Sequence, residues 1–156
     1  MNALTAFVVV SAAASALIGG VFFAFSVFVM HALATLPSAQ GVLAMQRINI
    51  TVINALFLVT FLGPAPLLGI TAYHGRHAPQ SFPWLLASFL IYLLGSVGVT
   101  MAFNVPRNNK LASLAPASAE ATAYWPVYVR EWLIWNHLRC IASLAAAIAA
   151  MLALAQ

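Results

Sequence analysis

The side chains best suited to chemistry are gathered in one segment, Y-W-P-V-Y-V-R-E-W-L-I-W-N-H-L-R, which runs from Tyr124 to Arg139. Four of them fall at i, i+3, i+4 and i+7 on a helix and therefore form a single stripe. These four are Trp132, Trp135, Asn136 and Arg139. The chain then continues as I-A-S-L-A-A-A-I-A-A-M-L-A-L-A, which is apolar enough to cross a membrane. The stripe therefore enters the bilayer, where costly polar side chains by default mark a functional site.

The composition is that of an integral membrane protein. The 156 residues are 64% hydrophobic and 5% charged, whereas soluble domains carry roughly 25% charged residues. Six Lys or Arg residues face two carboxylates, Glu120 and Glu131, so at least four cations need another kind of partner. These cations are too few and too scattered for a nucleic-acid-binding protein. Cys140 is the single cysteine, which excludes a disulfide within one chain.

Apolar runs separated by turn signals predict an all-α fold, a four-helix transmembrane bundle with up-and-down connections and a single domain over residues 1–156. The first helix lacks Lys and Arg and is too long for a signal-peptide core, which predicts a retained anchor. A kink is expected at residues 63–66, where two prolines each remove a backbone donor. The predicted spans are 3–34, 39–73, 83–103 and 119–155.

Up-and-down connections bring the polar residues of all four helices to one end of the bundle. The group comprises His31, Gln46, Arg47, Asn49, Asn104, Arg107, Asn108, Trp132, Trp135, Asn136, His137 and Arg139. The opposite end offers only His74, Arg76 and His77 as comparable side chains. Since positive charges are enriched in cytoplasmic loops, the polar end is predicted to face the cytoplasm, with both termini on the other side.

Four sequence stretches resemble the anthrone oxygenase family of small four-span membrane proteins. They are G-G-V-F-F-A-F-S-V-F-V-M (Gly19 to Met30), M-Q-R-I-N (Met45 to Asn49), V-T-M-A-F-N-V-P-R-N (Val99 to Asn108) and W-x-x-W-N-H-x-R (Trp132 to Arg139). The N-V-P-x-N and W-N-H-x-R segments are the most specific part. The resemblance implies that a reduced polycyclic phenol ketone is oxidised by dioxygen to a quinone.

The polar end offers the groups that such a reaction needs. Tryptophan rings could stack on a flat substrate, amides and a guanidinium could stabilise its oxyanion, and an imidazole could accept its proton. The predicted catalytic residues are His137, Arg139 and Asn136. The predicted substrate-binding residues are Trp132, Trp135, Gln46, Asn49, Asn104, Asn108 and Arg107. The expected substrate is a hydrophobic phenolic, anthrone or quinol compound drawn from the bilayer.

Each of these residues also has a purely structural interpretation. The tryptophans could belong to an interfacial belt, and Arg139 could extend to the membrane surface. His137 could be a packing histidine, while Asn104 and Asn108 could cap and turn the chain at Pro106. The amides of Gln46 and Asn49 could join neighbouring helices.

Two other functions remain open from the sequence. Imidazole and sulfur donors at one depth could bind haem or copper, although none shows a tight ligand spacing; the metal-ligand candidates are His31 and His137, with Met30, Met45, Met101 and Cys140 nearby. A non-enzymatic bundle that binds a lipid or a protein partner is the second alternative, and a homo-oligomer is compatible with either.

Overall fold

The computed structural model describes residues 3–156. It is an all-α bundle with four helices long and apolar enough to cross a membrane, Ala3–Ala34, Ala55–Gly75, Phe82–Ala112 and Ala119–Leu154. Their segments and the connecting helix are α1 (Ala3–Ala24), π1 (Phe25–Val29), α2 (Met30–Ala34), α3 (Ser38–Thr51), α4 (Ala55–Leu62), α5 (Pro64–Gly75), α6 (Phe82–Leu90), π2 (Ile91–Gly98), π3 (Thr100–Asn104), α7 (Val105–Ala112) and α8 (Ala119–Leu154).

Helix α8 is the centre of the bundle and packs against both the first and the third spans. Its inward face is made of small residues, so backbones approach closely and hydroxyls can bridge helices. Ser88 donates a hydrogen bond to the carbonyl of Ala146 at 2.7 Å. Ser143 and Ser96 share a second hydrogen bond at 2.9 Å. The pairing runs in opposite directions along the two spans, as antiparallel neighbours require.

The second predicted helix, 39–73, was wrong as one continuous element. Helix α3 ends at Thr51, and Asn54 adopts an extended backbone and accepts a hydrogen bond from the Phe57 N–H at 3.0 Å. Three β-branched residues, Thr51 to Ile53, weaken the helix there, and asparagine is a preferred N-cap. The spanning part therefore begins at Ala55, and its expected interruption is present at Gly63.

The third helix continues past its predicted end at residue 103 and reaches Ala112. Proline was expected to stop it, but Pro106 follows directly on π3 and occupies the first turn of α7. A missing N–H is tolerated in a first turn, and the wider π-helical turn has already changed the hydrogen-bond register. The N-V-P-R-N motif thus lies on a helix, where Asn104 and Asn108 are one turn apart.

The polar end of the bundle has its own hydrophobic core, built from α2, α3, α7 with the turn that follows it, and the first half of α8. It contains Met30, Val42, Met45, Leu111, Leu114, Ala121, Trp125, Tyr128 and Trp132. Helix α8 has 36 residues, or roughly 54 Å at 1.5 Å per residue, which exceeds a hydrocarbon core of about 30 Å. We therefore expect this cap of the bundle to extend beyond the bilayer.

The closest contact between the third and fourth spans depends on Gly95. A Cβ atom placed on Gly95 would lie 2.6 Å from the Cβ of Ala142, whereas one on Gly20 would meet nothing within 4 Å. We expect Gly95→Ala to lower the free energy of unfolding by about 1 to 3 kcal/mol, the usual cost of overpacking. Gly20→Ala is the matched control and should be neutral or slightly stabilising. Reversible unfolding in mixed micelles measures both, and equal stabilities would contradict this packing.

Candidate functional site

A cavity of about 270 Å³ lies at the polar end of the membrane-spanning region, between the first, second, third and fourth spans. Its size is near the lower end for a small-molecule site. Aliphatic and aromatic side chains form most of its wall, and the aromatic ones are Phe22, Phe25, Phe57, Phe61 and Trp132. Four polar side chains interrupt that wall, namely Asn49, Thr100, Asn108 and Arg139.

Among residues 3–156, Arg139 is the only charged side chain in the cavity wall, and it is 5% exposed. Its Nη2 donates to Oδ1 of Asn136 at 2.7 Å, and its Nη1 donates to Oγ1 of Thr100 at 3.2 Å. Its Cζ lies 4.2 Å from the ring centre of Phe22 and 5.1 Å from that of Trp132. The remaining donor, Nε, has no hydrogen-bond partner among residues 3–156.

No carboxylate neutralises this guanidinium. Glu131 forms an ion pair with Arg107 at 3.0 Å, and Glu120 is exposed to the surroundings. A cation inside a span costs about 2.5 to 3.5 kcal/mol at the helix centre, and contacts with aromatic faces offset about 0.5 to 2 kcal/mol of that. Arg139 is thus a partly compensated cation beside a cavity, an arrangement that favours an anionic or strongly polarised ligand.

Asn136 holds Arg139 in place and does not line the cavity. It is fully buried, and its Nδ2 donates to the carbonyl of Phe22 and to Oγ of Ser26, each at 2.8 Å. Because its oxygen accepts from Arg139, every polar atom of this amide has a partner. Asn136 therefore fastens the fourth span to the first and fixes the guanidinium between them.

A second polar group surrounds Asn108, one turn after Asn104. Its Oδ1 accepts hydrogen bonds from the Tyr128 hydroxyl at 2.9 Å and from the Trp132 indole N–H at 3.0 Å. The Asn49 side chain also hydrogen-bonds with Tyr128. Trp132 thus contacts both polar groups of the cavity, Arg139 through its ring face and Asn108 through its nitrogen.

The cavity opens sideways between the second and third spans. Residues at its rim are strongly exposed: Ile53 is 68% accessible, Leu62 45% and Met101 59%. All three side chains are apolar, which is expected where a protein faces hydrocarbon. The break at residues 52–54 starts α4 beside this opening, so apolar and exposed side chains surround the entrance to the cavity.

The family model for anthrone oxygenases matches residues 50–149 of this sequence. That match covers most of the chain, including α4 to α7 and nearly all of α8. The chain belongs to the anthrone oxygenase family. No curated protein and no solved structure matches it, so the geometry of this family member has to be interpreted from its own residues.

Four of the predicted site residues line the cavity of this anthrone oxygenase family protein. They are Asn49, Asn108, Trp132 and Arg139. They come from the connecting helix, the third span and the fourth span, while Phe22 and Phe25 of the first span complete the wall. The polar residues therefore converge across the bundle rather than along one helix.

The other predicted substrate-binding residues lie outside the cavity wall. Gln46 donates to the carbonyls of Leu111 and Leu114 at the end of α7, at 2.8 and 2.9 Å. Asn104 is buried and donates to the carbonyl of Trp132 at 3.2 Å. Both amides connect helices, which is the structural alternative considered for Gln46, whereas Asn104 was considered as a residue that caps and turns the chain at Pro106.

Trp135 and Arg107 form a separate contact on the outer side of the third and fourth spans. Trp135 stacks on Phe103 with ring centres 3.6 Å apart, and the Arg107 Cζ lies 6.0 Å from its ring. Arg107 also donates to Glu131 and to the Phe103 carbonyl. This pair binds the two spans to each other, and neither residue lines the cavity.

His137, the predicted base, is exposed and lies outside the cavity wall. Its Nδ1 is 2.9 Å from Oγ of Ser26, whose hydroxyl also accepts from Asn136. The one proton of that hydroxyl is available to a neutral His137 Nδ1. His137 is therefore linked to Arg139 through Ser26 and Asn136, and not through the cavity.

The haem or copper alternative finds no donor set in the structure. Among residues 3–156 no three His, Cys, Asp or Glu side chains come together as metal ligands. His31 and His137 are both exposed, while Cys140 is buried and its thiol points to the carbonyl of Gly19 at 3.5 Å. The histidine and cysteine candidates therefore form no cluster of three ligands among residues 3–156.

Several side chains that line the cavity or contact its polar groups were not predicted from the sequence. Tyr128 stands one turn before Trp132 and so shares its helix face, which was the available signal. No sequence signal identifies Ser26 and Thr100, because each is a small hydroxyl residue whose role depends on a hydrogen bond to the fourth span. Phe22 and Phe25 also line the cavity, and their apolar sequence context does not distinguish them from other residues of the first span.

Proposed function

We propose that this protein binds a planar, weakly acidic phenolic, anthrone or quinol compound from the bilayer and promotes its oxidation by dioxygen. One observation carries the proposal: a buried arginine, with no carboxylate partner among residues 3–156, lines an aromatic cavity whose rim side chains are apolar and exposed. The family match supports an anthrone-type substrate. The aromatic wall suits a flat ring system, and Arg139 suits an oxygen on which negative charge develops.

In the proposed reaction Arg139 stabilises the ionised form of the substrate. A nearby positive charge favours an anion, most strongly where water is excluded. An anthrone loses a proton from its methylene carbon, and the charge moves onto the carbonyl oxygen, which the positive charge of Arg139 in the cavity wall would stabilise. No His, Asp or Glu lines the cavity, so we expect the proton to pass to water as the ligand ionises.

The anion is the electron donor in the oxidation step. Dioxygen accepts electrons from the methylene carbon, a C–O bond forms, and a hydroperoxide results after protonation. Loss of water from that hydroperoxide breaks the O–O bond and the second C–H bond and leaves a carbonyl. Overall, one anthrone and one dioxygen give one anthraquinone and one water. In this scheme the protein supplies binding, orientation and charge stabilisation.

Oxygen uptake by purified protein in lipid vesicles tests the proposal. With a model anthrone, we expect uptake above the rate in protein-free vesicles, with one quinone formed per dioxygen consumed. Trp132→Leu should reduce the protein-dependent rate at least tenfold, since it removes the ring that contacts both polar groups. Trp84→Leu, on the exposed start of α6, is the matched control and should keep the rate. A rate equal to that of vesicles alone would refute the proposal.

We also propose that the polar end faces the cytoplasm. Arg47, Lys110 and Arg130 are exposed at that end, against Arg76 at the other, which agrees with the charge asymmetry of membrane proteins. In a Cys140→Ser background, Arg76→Cys should react with a membrane-impermeant thiol reagent in intact cells. Arg130→Cys should react only after lysis, and the reverse pattern would overturn the orientation.

A further inference from the structure

We infer that Asn108 is a specificity-determining residue that selects ligands with a second oxygen acceptor, in addition to the oxygen held by Arg139. This inference rests on the proposed function, since it concerns the ligand of the same cavity. It assigns to Asn108 a direct contact with the ligand through its Nδ2 atom.

The orientation of the Asn108 amide is fixed by its partners. An indole N–H can only donate, so the atom 3.0 Å from the Trp132 Nε1 must be the amide oxygen. The Tyr128 hydroxyl lies 2.9 Å from the same oxygen. If the amide oxygen and nitrogen were exchanged, the amide N–H groups would face the indole N–H, and donor would meet donor. The amide therefore cannot be flipped without losing its hydrogen bond to Trp132.

The Nδ2 atom of Asn108 is consequently left to the cavity. Asn108 lines the cavity wall, and its nitrogen donates to no acceptor among residues 3–156. An amide nitrogen only donates, so its partner has to be a carbonyl or hydroxyl oxygen. A ligand without such an oxygen would leave a donor unpaired in an apolar site, which is unfavourable for binding.

The two ligand-binding groups are positioned by one side chain. The centre of the Trp132 ring lies 5.1 Å from the Arg139 Cζ, and the Trp132 Nε1 donates a hydrogen bond to the Asn108 Oδ1 at 3.0 Å. Arg139 carries a positive charge and Asn108 a neutral donor, so the two oxygens of a matching ligand differ. One is ionised and the other is a neutral acceptor, both carried by one flat ring system beside the indole.

Two matched ligands and four variants test this assignment. 2-Hydroxyanthracene carries one oxygen, and 2-hydroxyanthraquinone adds carbonyl acceptors to the same ring skeleton. Affinities are measured by quenching of tryptophan fluorescence in phosphatidylcholine vesicles, and the ratio of the two affinities is compared between variants. Any difference in acidity between the ligands cancels in that comparison. The variants are Asn108→Asp, Asn108→Leu and the same two changes at Asn109, an exposed neighbour on α7.

We expect the preference for the ligand with the second acceptor to fall about tenfold in both Asn108 variants, the usual effect of one hydrogen bond. Asn108→Asp keeps an oxygen for Tyr128 and Trp132 but adds a negative charge, so Asn108→Leu, which adds none, gives the comparison of the two ligands that is free of charge effects. The Asn109 variants should retain the preference. An unchanged ratio, or an equal weakening of both ligands, would overturn the role of Asn108. If the unmodified protein binds neither ligand, the proposed function itself fails.

Discussion

Replacing Arg139 by methionine should abolish anion binding and yet leave the folded protein as stable as before, or more stable. The affinity for an ionised ligand should fall about 100-fold, since a charged hydrogen bond contributes about 1.5 to 3 kcal/mol. The free energy of unfolding should stay unchanged or rise by about 1 kcal/mol, because an apolar side chain replaces a buried cation that no carboxylate neutralises. Ligand titration and reversible unfolding in mixed micelles measure the two effects.

The opposite responses of binding and stability make this test specific. Arg130→Met removes a positive charge from an exposed position on α8 and should change neither quantity. Arg139→Lys keeps the charge but offers a single ammonium group, so it should restore part of the binding. A loss of stability above about 2 kcal/mol in Arg139→Met would show that the guanidinium is mainly a structural connector.

The second large effect is expected at Asn136. Leucine at this position removes two neutral hydrogen bonds, to Phe22 and Ser26, and one to the Arg139 guanidinium. Neutral bonds between membrane helices contribute about 0.6 kcal/mol each, and a bond to a charged group about 2 kcal/mol. The free energy of unfolding should therefore fall by about 3 kcal/mol, measured by the same unfolding experiment.

A double-mutant cycle separates the contribution of the charge from that of the two neutral bonds. When Arg139 is already methionine, Asn136→Leu should cost only about 1 kcal/mol, since two neutral bonds remain to be lost. The coupling between the two residues should thus be about 2 kcal/mol. Additive effects would contradict the positioning role of Asn136. Ser143→Ala, which removes a neutral bond to Ser96, gives the reference value for one such bond.

The sequence indicated the fold class and the polar end because both depend on patterns that one helix carries by itself. The length of an apolar run indicates a membrane-spanning helix, and helical spacing places Trp132, Asn136 and Arg139 on one stripe. The division of the second helix was missed, since the apolar residues on both sides of Asn54 hid a capping signal. The prediction that the third helix ends before Pro106 was wrong, because a preceding π-helical turn cannot be recognised from composition.

The assignment of individual roles required the structure. Arg139 is closer to Glu131 in the sequence than Arg107 is, yet the structure pairs Glu131 with Arg107. Gln46 and Asn49 stand one turn apart on α3, yet Gln46 hydrogen-bonds to the end of α7 and Asn49 lines the cavity. Such differences depend on helix rotation, which hydrophobic periodicity does not determine within a nearly uniform apolar chain.

The sideways opening beside α4 has a consequence for how affinity is expressed. A ligand that enters past Ile53, Leu62 and Met101 would be dissolved in the membrane beforehand, so its mole fraction in the lipid is the direct measure of the concentration that the cavity meets. We expect lipid acyl chains to reach the same opening and to compete with the ligand for the aromatic wall of the cavity. Diluting the protein into more lipid at constant total ligand should therefore weaken the apparent binding, even though no residue has changed.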